Sequence, residues 1–480
     1  MTQRQPKALY FLFLTEMWER FGYFTMVTTF VLYLTSELNM ADGRAFLIFG
    51  AYSSLAYVTP VIGGMIADRM LGFRWCIVIG AILMGVGYLL LQFPSQPIMF
   101  MALGLLAIGN GFFKPNTSAM LGVFYEKDDP KRSSGYTIFY FGINFGALMG
   151  GLAGGVVAAE FGYSVAFVMA GVGKFVALLT FLLARRQFGD HGHMPATSPI
   201  LGDASTRLIS IVGLVAGALA VAVVIGFLID RAAIAGDVLA VAGIAITGYF
   251  LFEVFKEDAH NRNRLIVLVV LTAFAVVFWA IYQQSGSSVV LYIERDVDLG
   301  MFGLSIPPSD IQSLNPLFIL LLAPVFAFVW TRTRQAGIHI PNSLKFVLGL
   351  AFLGSAFLVL QLGGIATSSG GRIDLTWMVA FYLLFTMGEM SLSPIGLAMA
   401  SELAPKRLAG MAMGMWFLST AGANYIAGLI ASIAAVPAGT SPQAERQIYE
   451  SAFADYGWMC LGAALLLLIL VPFLRRLMRA

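Results

Sequence analysis

Charge is scarce in this chain. Only 11% of its 480 residues are Asp, Glu, Lys or Arg, against about 25% in soluble domains. With 59% hydrophobic residues, this excludes a water-soluble globular protein and leaves a polytopic membrane protein. The net charge of +3 contains no basic block, which excludes a nucleic-acid surface. Cysteine is rarer still. Cys76 and Cys460 lie in apolar helical stretches, where packing is expected and a disulfide or thiolate metal site is not. The four histidines, His191, His193, His260 and His339, fall in predicted loops, and His191-Gly-His193 reads as solvated loop. No metal and no cofactor is expected. Neither HExxH nor GxSxG occurs, so the helices offer no metal ligands or nucleophile–base pair for intramembrane hydrolysis, and the chain does not read as an enzyme. No cleavable signal peptide is evident, since the first apolar segment is long enough to span a bilayer.

What is present is a succession of apolar runs of about 20 residues between polar breaks. They predict fourteen helices, from 8–36, 46–69 and 75–93 at the start to 452–476 at the end. Of the 29 Lys and Arg residues, Arg20, Lys114 and Lys174 fall inside helices, and Arg44, Arg231, Arg295, Arg372 and Arg446 in one set of alternate loops. The remaining 21 lie at the termini and in the opposite loops. Positive loops stay inside, so both termini are expected in the cytoplasm of a bacterial inner-membrane protein. Long polar connections at 185–207 and 253–264 set off two Ala/Val/Gly/Ile-rich helices, 207–229 and 237–256, whose interiors carry no charge. The expected organisation is an N-terminal six-helix bundle (1–186), a linker with a lipid-facing hairpin (187–263) and a C-terminal six-helix bundle (264–480). Such a 6+2+6 layout suits two bundles about a central cavity and alternating access.

Three ionisable residues interrupt the first apolar run. Glu16, Glu19 and Arg20 share one helical face. Each charge at the bilayer centre costs about 2.5–3.5 kcal/mol, so such groups line a cavity or pair with one another. Two carboxylates exceed one guanidinium, which points to a carboxylate free to exchange a proton. Lys174 matches no binding motif and reads as snorkelling, or as pairing with Glu160 or another helix. Pro60, Pro115, Pro324 and Pro394 fall within helical runs, where kinks are expected.

Several segments carry a family resemblance. Gly64-Met-Ile-Ala-Asp68-Arg69-Met-Leu-Gly72 resembles the major facilitator loop motif GxxxDRxxG, with glycines for close helix approach and Asp68 and Arg69 as a gating latch at helix ends. Glu16-x-x-Glu19-Arg20-Phe21-x-Tyr23 resembles the first signature of the proton-dependent oligopeptide transporter (POT) family. The stretches at 109–116, 136–146, 278–287 and 388–394 resemble the family's helix-four, helix-five, helix-seven and helix-ten segments, and the ordered likeness runs from residue 16 to about 425.

The resemblance implies an all-α major facilitator fold: two six-helix bundles, an inserted two-helix hairpin, and fourteen transmembrane helices. It implies proton-coupled import of di- and tripeptides, with protons as coupling ion and the lipid bilayer as surroundings; a monomer is expected. Glu16, Glu19, Arg20 and Lys114 are the coupling residues it implies. Arg20 and Lys114 are placed near the peptide carboxylate, and Glu389, Asn144 and Asn315 near its amino terminus. Tyr23, Tyr57, Tyr140, Trp279, Gln283 and Trp416 complete the pocket positions, with apolar area suited to varied side chains. The residues by themselves read the same way: cations in the first half, an acid in the second, a field that fits a zwitterion. Three positions depart from the pattern: Gln283 replaces an acid, Phe24 a tyrosine and Phe145 a smaller residue. They leave Glu16 and Glu19 as the expected proton carriers. A symporter for nitrate, a drug or an amino-acid conjugate, and a non-transporting peptide sensor, are the other readings.

Overall fold

The structure, a computed structural model, describes residues 5–126, 129, 131–196, 198–201, 203–301, 303–338, 340–367, 371–405 and 407–478. Within these, the side chains at 204, 206, 207, 211, 301, 304, 394, 395, 397, 398, 400 and 401 stand outside the description. His339 and the side chain of Pro394 therefore lie outside the described residues.

The described residues form almost nothing but helix, because a chain in hydrocarbon must satisfy its backbone polar groups internally. In order the helices are α1 (Lys7–Leu32), α2 (Asp42–Ile66), α3 (Gly72–Leu91), α4 (Gln96–Gly122), α5 (Lys131–Phe161), α6 (Tyr163–Leu183), α7 (Ala204–Asp230) and α8 (Ala232–Lys256). There follow α9 (Ala259–Tyr282), α10 (Ser288–Asp296), α11 (Leu314–Gln335), α12 (Asn342–Ala366), α13 (Leu375–Leu403), α14 (Ala409–Ala431) and α15 (Pro442–Leu477). A two-strand hairpin, Gly300–Met301 with Leu304–Ser305, follows α10. Twelve continuous runs among the described residues are long and apolar enough to cross a membrane, where fourteen helices were expected. One run, Asp42–Leu91, covers two expected helices, since α2 and α3 join through a π-helical turn, Ala67–Leu71. The α1 helix is not among the twelve; it carries Glu16, Glu19 and Arg20. His260, expected in a loop, sits in the first turn of α9, which Asp258 caps by accepting from the Asn261 N–H.

The contacts gather into two compact units, one of residues 1–39 and 55–232, the other of residues 40–54 and 233–480. In the first, α1 packs against α5 and α6. Gly142, Gly146, Gly150 and Gly154 recur every four residues down one side of α5. A methyl group at Gly146 would overlap the Met17 carbonyl oxygen, and one at Gly150 that of Phe21. Small residues at this spacing let two membrane helices touch through their backbones. Thr25 Oγ1, on α1, donates to the Gly150 carbonyl at 3.0 Å. On the other side, a Cβ at Gly22 would lie 2.8 Å from the Ala170 oxygen of α6. The charged face of α1 is thus held by bare backbone contacts on two flanks. Helix α7 lies on α4 through Gly104 and Gly226, and its outward positions, such as Ile209 and Val223, are exposed.

In the second unit, α12 packs on α13 and α15 around Phe357, Phe381, Tyr382, Phe453 and Tyr456. Residues 40–54, the first half of α2, belong here: a Cβ at Gly50 would meet Gly428 Cα at 2.9 Å. Helix α8 touches α14 where Gly236 meets Tyr425 and leaves Val241 and Ile244 exposed, as a lipid-facing helix requires.

Candidate functional site

The first unit buries an ionic cluster that only partly follows the sequence expectation. Glu16, Glu19 and Arg20 do meet on one face of α1. Arg20 Nε donates to Glu19 Oε2 and lies 3.6 Å from Glu16 Oε1. The fourth member is Lys174, from α6, whose Nζ is 2.9 Å from Glu19 Oε1 with both side chains 0% exposed. Lys174 neither snorkels nor pairs with Glu160. It pairs with another helix, the remaining alternative: α1 and α6 are in backbone contact where Gly22 meets Ala170, so a lysine stem one turn further along α6 reaches α1 without stretching. With Lys174 counted, two carboxylates face two cations, and the apparent excess acid on α1 disappears.

The two carboxylates differ in environment. Glu19 is clamped by both cations. Glu16 has one distant guanidinium and a neutral partner, Thr117 on α4, whose Oγ1 donates to Oε2 at 2.9 Å. Arg20 Nη2 is buried with no hydrogen-bond partner among the described residues, and its guanidinium stands 4.8 Å over the Tyr23 ring. Lys114 was expected to exchange with these acids. Its Nζ instead sits 4.8 Å over the Tyr57 ring, and no carboxylate among the described residues lies within ion-pair reach of it. Asn144 turns back on its own helix and donates to the Tyr140 carbonyl at 3.0 Å. Phe24 lies edge-on to Tyr23, and Phe145 stacks on Phe141.

The second unit holds a separate constellation around Glu389 on α13. Asn315 Nδ2 donates to Glu389 Oε2 at 2.9 Å and the Tyr282 hydroxyl donates to the same oxygen at 2.8 Å. Asn315 Nδ2 also reaches Thr386 Oγ1 at 3.1 Å. Tyr282 is fixed by stacking on Phe385 at 4.3 Å, with Trp279 edge-on at 5.1 Å. The structure thus brings Glu389, Asn315 and Trp279 together and adds Tyr282 and Thr386, which sequence reading missed. Gln283 is not part of this group. Its Nε2 donates to Asn424 Oδ1, and Asn424 in turn donates to the Thr420 carbonyl at 2.9 Å. Trp416 is buried against Gly396.

Asp68 and Arg69 lie exposed in the π-helical turn, and neither forms an ion pair among the described residues. Of the motif's glycines, Gly64 has open space beside it and Gly72 lies against the His193 carbonyl, while the close approach to a helix belongs to Gly63, against Gly111 of α4. Gly72, at φ +70°, occupies a backbone conformation that favours glycine. A further cluster went unread in the sequence. Arg295 makes a two-pronged contact with Asp42 (2.7 and 2.9 Å) and also reaches Glu445 and the Tyr449 hydroxyl. These partners lie 150 or more residues apart in the chain, and no local signal announces them.

Comparison with known proteins gives a consistent result. The profile of the POT family matches residues 74–459. Dipeptide and tripeptide permease A of Escherichia coli (strain K12) is 34% identical over 477 residues, covering 99% of this chain and 94% of the permease. A crystal structure of a peptide transporter POT in complex with sulfate superposes with a TM-score of 0.85 at 31% identity, covering 99% of this chain and 96% of that one. The tetrameric PepTSo2 superposes with a TM-score of 0.85 at 29% identity, covering 98% of this chain and 99% of its own. The chain belongs to the POT family of major facilitator membrane transporters.

Proposed function

We propose that this chain is a proton-coupled symporter that imports di- and tripeptides by alternating access. The observation that carries the reading is the buried cluster on α1. Arg20 keeps a buried Nη2 without a hydrogen-bond partner among the described residues while its Nε is engaged by Glu19. An anion of the size of a peptide carboxylate satisfies that group by a charge-assisted hydrogen bond. Lys114, over Tyr57 and without a carboxylate partner among the described residues, supplies a second cation for the same end. Glu389, with Asn315 and Tyr282 on one oxygen, leaves its other oxygen to accept from a peptide ammonium. The first unit thus offers cations and the second an acid, the two signs that a zwitterionic peptide carries. Tyr23, Tyr57, Tyr140, Asn144, Trp279, Gln283 and Trp416 are the remaining positions proposed to meet substrate, and Asp68 and Arg69 those proposed for gating.

Proton and substrate are linked through charge. When a carboxylate of the pair Glu16 and Glu19 takes up a proton, the cluster gains a positive charge that a peptide carboxylate neutralises. A proton moving inward down ~100 mV gains about 2.3 kcal/mol, enough to concentrate substrate roughly tens-fold. The excess of Lys and Arg in alternate loops supports cytoplasmic termini in a bacterial inner membrane, and the protein is proposed to act as a monomer, without a cofactor. The test is uptake of labelled dialanine by proteoliposomes with and without an imposed proton gradient. Gradient-driven accumulation supports the reading. Its absence, or competition by nitrate but not by peptides, sinks it.

A further inference from the structure

We infer that Lys174 is a positioning residue that keeps Glu19 permanently ionised, so that the exchangeable proton resides on Glu16 alone. The inference rests on the symport reading above and assigns its proton to one carboxylate.

The geometry separates the two acids. Both Glu19 oxygens are occupied by cations, Oε1 by Lys174 Nζ at 2.9 Å and Oε2 by Arg20 Nε. Lys174 is fully buried, with the Phe113 ring 4.9 Å below its ammonium. A buried ammonium persists when a carboxylate accompanies it, and a carboxylate between two cations has little tendency to accept a proton. Glu16 faces weaker company: a guanidinium nitrogen at 3.6 Å and a hydroxyl donor, Thr117. That hydroxyl can rotate to accept as readily as donate, so it serves Glu16 in either protonation state.

The charges facing the cluster are few enough to name. Helix α1 gives Glu16, Glu19, Arg20 and the phenol of Tyr23; α4 gives Lys114; α6 gives Lys174; α2 gives the phenol of Tyr57. Helix α5 carries no charged side chain between Arg132 and Glu160. The four-residue core is therefore neutral with both acids ionised, and carries one net positive charge once Glu16 is protonated. The proton enters as the hydrogen of a Glu16 carboxyl and leaves from the same oxygen, with no bond change at Glu19. Without Lys174, the core would start at one net negative charge, and its first proton would only restore neutrality.

Five variants in proteoliposomes test this, read both by gradient-driven dialanine uptake and by infrared titration of the protonated carboxyl stretch. Lys174→Met and Glu19→Gln each unbalance the core and are expected to lose about tenfold or more in gradient-driven uptake, as an uncompensated buried charge dictates. Lys174→Arg should restore most of it. The charge-balanced double variant, Glu19→Gln with Lys174→Met, returns the core to neutrality and should recover pH-dependent uptake to within about threefold of the parent, since coupled sites depart from additivity. The titrating infrared band should vanish in Glu16→Gln and persist in the double variant. A double variant as uncoupled as Glu19→Gln, or a band lost with Glu19 and kept without Glu16, would overturn the inference. The two readouts separate its failure from that of the symport reading. If the parent shows no gradient-driven peptide uptake, symport falls, and the infrared titration still decides which carboxylate exchanges the proton.

Discussion

Lys174 and Glu19 form an ion pair 2.9 Å long with no solvent exposure on either side chain. It joins α6 to the helix that bears the family signature. Truncating one partner leaves the other charge buried and alone, which costs about 3–5 kcal/mol. Lys174→Met is therefore expected to lower the unfolding midpoint markedly in detergent, and the charge-balanced double variant to recover much of the loss. Denaturation curves of the three proteins at one pH check this. Equal destabilisation of single and double variants would show that packing, not charge, dominates the site.

Tyr282 is the least anticipated member of the acidic constellation. Its hydroxyl donates to Glu389 Oε2 at 2.8 Å, and a hydrogen bond to a charged group contributes about 1.5–3 kcal/mol. Tyr282→Phe is expected to weaken dipeptide binding by roughly tenfold or more, since Glu389 loses orientation while the ring keeps its stacking on Phe385. Competition titration with a labelled peptide measures it. An unchanged affinity would remove Tyr282 from the site.

Gln283 offers a gain-of-acid experiment. Its amide donates to Asn424 Oδ1, a bond that an ionised carboxylate cannot make. In Gln283→Glu, the new acid must either hold a proton or turn Asn424 around and break that residue's bond to the Thr420 carbonyl. Only the first outcome couples a proton to this position, and it is the one that the site's partial burial favours. Uptake is expected to become more steeply dependent on the proton gradient, with the reversal potential reporting a higher proton-to-peptide ratio. An unchanged ratio would show that this position lies off the proton route.

The glycine stripe on α5 makes a packing prediction. Gly146 leaves no room for a side chain against the Met17 carbonyl. Gly146→Val forces α1 outward, at a cost of about 1–3 kcal/mol or more for overpacking. Because α1 carries Glu16, Glu19 and Arg20, uptake is expected to fall even where folded protein is recovered. Gly162→Ala, beside open space but at φ +87°, serves as a control that strains a helix junction without touching α1.

Composition and periodicity made the membrane character and the helical class legible, because hydrocarbon imposes on every spanning segment a pattern that needs no partner to be recognised. The charged face of α1 was legible for the same reason: Glu16, Glu19 and Arg20 are neighbours in sequence, and helical spacing alone brings them together. The continuity of α2 with α3 was not, since a turn that stays hydrogen-bonded as a π-helix has the same polar composition as an open loop. Nor was the break in the helical run after Tyr282, where nothing but a Gln-Gln-Ser-Gly sequence marks the 3₁₀ turn.

The partners of single buried charges were hidden altogether. Lys174 lies 155 positions beyond Glu19 and Glu389 lies 74 beyond Asn315, and an isolated lysine in an apolar helix looks the same whether it snorkels or pairs. The amino-acid sequence by itself fixed which helices bear charge, since the energy of placing an ion in hydrocarbon depends on the residue and its depth. Only the tertiary structure decided which ion neutralises which. Electrostatic energy falls with distance, and the distance between α1 and α6 was set by Gly22 against the Ala170 carbonyl, one turn from the two charges and uncharged itself.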